Sequence, residues 1–178
     1  MASLVDRMIR AAKLDPQLYE EVEADTTAMT QAVTVVVVSS IAAGIGSLMA
    51  DGGLGLFWGT IVALAGWLLW SFVVYVIGAK LLPEEQTEAD YGQLLRTIGF
   101  SASPGVLRIL GFLPVLGWVV NIVCGIWMLA AMVIAVRQAL DYQGTGRAVL
   151  VCILGWIAYM ILFFVVSAIL AAGGLVAG

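Results

Sequence analysis

A chain of 178 residues that is 62% hydrophobic and 11% charged, with twelve acids against eight bases for a net charge of −4, lacks the polar surface of a water-soluble domain, where about 25% charged residues is usual. Its bases form no cluster able to grip nucleic acid or a sheet of anionic headgroups, so nucleic acid is excluded as a partner. There is room for about five spans of ~20 residues with short links and none for a second soluble domain, which predicts one all-α integral membrane bundle.

Residues 1–29 form a polar arm ahead of the first apolar stretch. Ser3 can cap a short helix in which Leu4, Met8 and Ala11 share a face beside Arg7, Arg10 and Lys13. Asp15 and Pro16 then read as the cap and first residue of a second helix, whose apolar stripe is Leu18, Tyr19 and Val22. Such short amphipathic helices suit either a membrane interface or a solvated arm. The arm does not read as a cleavable signal peptide, because its bases are followed by an acidic run at 20–25 rather than by an apolar core.

Residues 30–178 are read as a five-span membrane domain. Span one, 30–50, would make ~31 Å of helix, and its Ser40 and Gly44, with Ala43 and Ser47, place small residues four apart. A tight turn at 51–55 leads into span two, 56–82, which Pro83 stops. The acidic link 83–90, PEEQTEAD, has no ordered cation-ligand spacing and reads as a solvated loop in which Thr87 or Asp90 caps the next helix. Spans three, four and five are placed at 91–113, 117–137 and 148–172, the last after a link holding the flexible GTG of residues 144–146. Cys124 and Cys152 would lie at different depths, ~20 Å and ~8 Å from the bases that end their spans, which predicts two apolar fillers rather than a disulfide.

The positions of the bases set the direction. With the N-terminus in the cytoplasm, Arg7, Arg10, Lys13, Lys80, Arg96, Arg137 and Arg147 all fall on that side, and the external loops hold Asp51 and no base. Trp58 and Trp118 then sit at the external interface, and the C-terminus is external.

Span three carries the most unusual chemistry. Arg108 lies ~18 Å beyond Arg96 along an ideal helix, in the outer half of the membrane, where an unpaired charge costs about 2–3 kcal/mol on insertion scales. Two readings stand: an anchor for a lipid phosphate or a partner protein, or a snorkelling side chain satisfied by Asp51, Asn121 or its own last carbonyls. Around it, Gly99, Ser101, Ser103 and Pro104 predict a kinked or broken helix, since Pro104 frees a carbonyl near Phe100 that Ser101 or Ser103 can satisfy. Such a break lines a cavity in some transporters and is a plain packing kink elsewhere. On span four, Gly117, Asn121 and Gly125 repeat every four residues and present a small, polar face to a neighbouring helix.

Catalysis is not expected. No histidine is present, nor a GxSxG elbow, a CxxC pair or a carboxylate inside any span, which removes the usual nucleophile pairs, His-based metal sites and aspartyl dyads and predicts no metal and no cofactor. Two functional classes remain. One is a scaffold, adaptor or accessory subunit in contact with membrane lipids, other membrane proteins or further copies of itself; the other is a small transporter or channel with a cavity at the broken third span.

The segments YGQLLRTIGFSASP (91–104), LGFLPVLGWVV, IWMLAAMVIAVRQALDY and GRAVLVCILGW, in this order, resemble the Yip domain family, the Ypt/Rab-interacting five-span membrane proteins, and in particular its prokaryotic members. Gly99 and Phe100 ahead of Pro104 are similar to that family's Gly-Tyr motif. The resemblance implies five spans, a cytoplasmic N-terminus, an external C-terminus and a place in a prokaryotic plasma membrane. Eukaryotic members are tied to vesicle trafficking and Rab GTPases. Here the Asp-Leu-x-Gly-Pro motif is missing and the arm is short, which speaks against a Rab-type GTPase as partner.

Overall fold

The computed structural model describes residues 3–47, 54–113 and 116–176, and every regular element within them is helical. In chain order these are α1 (Leu4–Ala12), α2 (Pro16–Ala24), a 3-10 turn (Thr26–Ala28), α3 (Met29–Gly46), α4 (Leu54–Tyr75) running into a π-helical turn (Val76–Leu81), α5 (Tyr91–Ser101), a 3-10 helix (Ser103–Phe112), α6 (Gly117–Ala139) and α7 (Thr145–Val176). Four of these stretches, Thr26–Gly46, Leu56–Leu81, Gly117–Ala139 and Thr145–Ile169, are long and apolar enough to cross a membrane.

Local chemistry fixes the helix starts. Ser3 accepts from the Asp6 amide, and Asp15 accepts from the Gln17 amide with Pro16 as the first helical residue, its ring pre-setting φ. Asp90 and Gln93 form a reciprocal capping box at the start of α5. Thr87, the other candidate for that cap, instead donates from its hydroxyl to the Leu140 carbonyl, 2.8 Å away. The acidic link is tied down as well, because Glu84 accepts from the Gln143 amide at 3.0 Å and pairs with Arg147 at 3.3 Å.

The third apolar segment differs from the others. Its α geometry ends at Ser101, Ala102 forms a turn, and ten residues continue as a 3-10 helix. Pro104 has no amide hydrogen for the Phe100 carbonyl, and the Ser103 hydroxyl donates to that oxygen at 2.7 Å. Because a 3-10 helix rises ~2.0 Å per residue against ~1.5 Å in an α-helix, α5 and its extension together reach ~36 Å.

α3 lies parallel to this segment along its length. A Cβ placed on Gly99 would come within 2.9 Å of the Ala32 Cβ, one on Gly105 within 3.3 Å of the Ser39 Cβ, and one on Gly46 within 2.0 Å of the Arg108 carbonyl oxygen. Only glycine permits the last approach, since no Cβ tolerates a backbone oxygen at that distance. The Ser39 hydroxyl completes the seam by donating to the Ala102 carbonyl at 2.8 Å.

The N-terminal helices fold back onto the bundle. Leu18, Tyr19 and Val22 of α2 are fully buried, in one core cluster with Leu94, Ile98, Ala135 and Ala139. The Trp127 indole donates to the Ala12 carbonyl at 2.7 Å, and the Gln138 amide to Glu20 at 2.7 Å. The apolar stripe of α2 is thus covered by protein, not by solvent or lipid. Tyr142 makes a similar tie, its buried hydroxyl lying 2.9 Å from the Gly78 and Leu82 carbonyls that the π-turn exposes.

A cavity around Arg108 and an ionic clamp on the arm

Ser101, Arg108 and Asn121 line one cavity of about 650 Å³. α3 contributes a wall from Val36 to Ser47, α4 a wall of Gly59, Ala63 and Gly66 that ends at Trp67 and Trp70, and Tyr159 comes from α7. The α3 wall covers eleven residue steps, so the cavity extends ~16 Å along that helix. Ser103 and Pro104 are buried and do not line it, and Gly99 packs on Ala32. Asp51, read from the sequence as a partner for Arg108, lies outside the described residues.

The serine hydroxyls on the cavity wall are already committed. Ser40 donates to the Val37 carbonyl at 2.9 Å, Ser47 to Gly44 at 3.2 Å and Ser101 to Ile98 at 2.7 Å. The Asn121 amide donates to Gly117 of its own helix at 2.9 Å and makes no bond to Arg108. Two donors are left over: the Nε atom of Arg108 and the indole Nε1 of Trp70 are both buried without a hydrogen-bond partner. The ion pairs among the described residues involve Arg7, Arg10 and Arg147, and none involves Arg108. Its Nη2 lies 3.8 Å from where a Cβ on Gly125 of α6 would sit.

At the opposite end, beside the arm, arginines are fully engaged. Arg7 is 4% exposed and bonds Glu21 at 2.9 Å, Asp25 at 2.8 Å and Gln31 at 3.0 Å. Arg10 joins the same Glu21 at 2.6 Å and reaches Asp15 at 2.8 Å. Arg96, 6% exposed, donates from Nε to the Val22 carbonyl at 2.9 Å and from Nη2 to the Glu23 carbonyl. It thus caps the C-terminus of α2, where the helix dipole favours a cation. The hydroxyl of Thr27 and the Arg7 guanidinium hold the Asp25 carboxyl down at about 2. Burial, with Asp141 nearby, pushes the Glu23 carboxyl up to about 7.

Arg108 stands out in the sequence as a charge within an apolar segment, whereas nothing in the sequence marks the buried indole of Trp70 or the roles of Arg7 and Arg96 as clamps. Their partners are carbonyls and carboxylates brought together only by the fold. The family model described as the Yip1 domain matches residues 16–167. No curated protein and no solved structure matches the chain.

Proposed function

The chain belongs to the Yip1 domain family, and from that premise we propose a five-span, non-enzymatic membrane protein that serves as a scaffold or accessory subunit for other membrane proteins. The observation that carries this reading is the contrast between tight inner seams and a wide apolar exterior. The α3 seam closes to glycine contact distance, while Phe57, Val62, Trp118, Ile126, Trp156 and Phe164 on α4, α6 and α7 all face outward and are more than half exposed. Apolar surface of that extent belongs against lipid or another apolar helix.

Several features support a fifth crossing by α5 and its 3-10 extension. The pair runs alongside α3, reaches a similar depth and, at ~36 Å, exceeds the ~30 Å hydrocarbon thickness. The positions of the bases favour a cytoplasmic N-terminus and an external C-terminus, and the resemblance to prokaryotic members of the family favours a prokaryotic plasma membrane. The topology is tested with Cys124→Ala and Cys152→Ala as background and a single cysteine at Ser3 or after Gly178. In inverted vesicles an impermeant maleimide should label the first and not the second; equal labelling of both ends means an even number of crossings. Purification in a mild detergent, with mass spectrometry of the proteins retained, tests the scaffold role. A chain that elutes alone under every mild condition refutes it.

The cavity beside Arg108 favours a second reading, a small transporter using the change of helix type at Ala102. Proteoliposomes separate the two. Uptake of a solute that depends on Ser101 and Arg108 selects transport; the absence of flux, with partners retained, selects the scaffold.

A further inference from the structure

We propose that the cavity between α3, α4 and the 3-10 helix is a binding site for one anionic amphiphile from the membrane, its phosphate or carboxylate headgroup held by Arg108 and its chain lying toward Trp67 and Met132. The inference rests on the reading of the chain as a membrane protein and names a ligand for its interior.

Three observations define the ligand. First, charge: among the described residues that line the cavity, Arg108 is the one basic side chain and no carboxylate is present. A guanidinium that is partly buried, with its Nε enclosed and no counter-charge among the described residues, carries a desolvation cost that a bound anion offsets. Second, hydrogen-bonding capacity: the wall hydroxyls of Ser39, Ser40, Ser47 and Ser101 already donate to carbonyls, whereas the guanidinium of Arg108, which carries donors alone, makes no ion pair among the described residues. The ligand must therefore bring acceptors, and a guanidinium suits the oxygen pair of a phosphate or carboxylate. Third, shape: about 650 Å³ drawn out over ~16 Å of α3, with Val36, Ile98, Met128, Met132 and Trp67 in its lining, fits an acyl chain better than a compact polar solute. The wall is open at Gly59, where a Cβ would meet no atom within 4 Å.

The test uses the full chain in nanodiscs. Wild type in zwitterionic discs doped with an anionic phospholipid should retain about one anionic lipid per chain after exchange into detergent, and its unfolding temperature should rise with anionic lipid content. Arg108→Gln, which keeps amide donors and loses the charge, should bind about tenfold or more weakly; Arg108→Lys should recover part of the loss. Inorganic phosphate in purely zwitterionic discs should give no shift. A shift with phosphate alone overturns the assignment to an amphiphile, as does equal retention of anionic and zwitterionic lipid. Asp51→Asn guards against an internal ion pair: if it destabilises the chain as much as Arg108→Gln while wild type retains no lipid, the guanidinium is satisfied within the protein and the site does not exist. Co-purified proteins are counted in the same samples, so a wild-type chain that retains its partners and no anionic lipid refutes this site and leaves the scaffold reading standing.

Discussion

The arm end of the bundle and the cavity beside the 3-10 helix use the same residue type in opposite ways. Arg7 and Arg96 are nearly fully buried and each meets partners that the fold supplies, carboxylates for one and helix-terminal carbonyls for the other. Arg108 is only partly buried, yet its Nε is enclosed with no acceptor. A buried cation that is satisfied internally is a structural clamp; one that is enclosed and unsatisfied is available to a ligand. The contrast therefore separates residues whose loss should damage folding from one whose loss should damage binding.

The largest expected effect is at Arg7. Replacing it with Met removes three bonds, leaves Asp25, 25% exposed, without its cation and leaves Glu21, 35% exposed, with Arg10 alone. Breaking a buried pair this way costs about 3 kcal/mol, seen as a lower unfolding temperature and loss of amide-exchange protection in α1 and α2. If those helices stay protected, the clamp contributes nothing and the contrast with Arg108 fails. Next is Arg96→Met, which strips donors from the Val22 and Glu23 carbonyls. About 2 kcal/mol is expected, with exchange increasing first in the last turn of α2.

A smaller effect comes with pH. Glu23 binds its proton more tightly in the folded chain, at about 7 against an ordinary 4.5, so its contribution is present below about pH 4.5 and fades as pH rises through about 7. Asp25 works in the other direction, since its carboxyl lies at about 2 and its stabilisation is lost as pH falls toward that value. Docking of the arm should be firmest at about pH 4–5. Between about pH 5 and 7 it should weaken by about 1 kcal/mol, discounted for solvent screening, and Glu23→Gln should flatten that limb. A pH-independent exchange profile in α2 would show that the Glu23 proton is not linked to docking.

Much of this architecture was legible in the sequence. The four long apolar helices follow from composition and length, and the starts of α2 and α5 follow from Asp15 with Pro16 and from Asp90 with Gln93. The cavity was not, and its glycines show why. Gly44 and Gly59 look alike in a sequence, as small residues on apolar helices. In the fold, a Cβ on Gly44 would meet Leu56 at 2.8 Å, whereas one on Gly59 would meet no atom within 4 Å. The first glycine permits contact and the second leaves room, a difference decided by what stands opposite and absent from any local pattern. The docked arm was hidden for a related reason: the bonds from Arg96 end on backbone carbonyls, which every residue has.

The smallest expected effect, and the one that sharpens the contrast most, is that of Arg108→Met measured without anionic lipid. Removing a clamp leaves partners exposed to desolvation, but among the described residues Arg108 Nε has no partner to abandon. Substituting an apolar side chain relieves an enclosed charge at the expense of some packing along the stem, and such exchanges are commonly neutral or mildly stabilising. In zwitterionic detergent the unfolding free energy should change by no more than about 0.5 kcal/mol, about a sixth of the loss at Arg7. The wild-type advantage should then appear only when anionic lipid is added and grow with its concentration, as expected for a ligand that binds the folded state alone. A loss of about 2–3 kcal/mol without any lipid, comparable to that of a broken buried ion pair, would mean that Arg108 already has an internal partner and that the two ends of the molecule follow one rule.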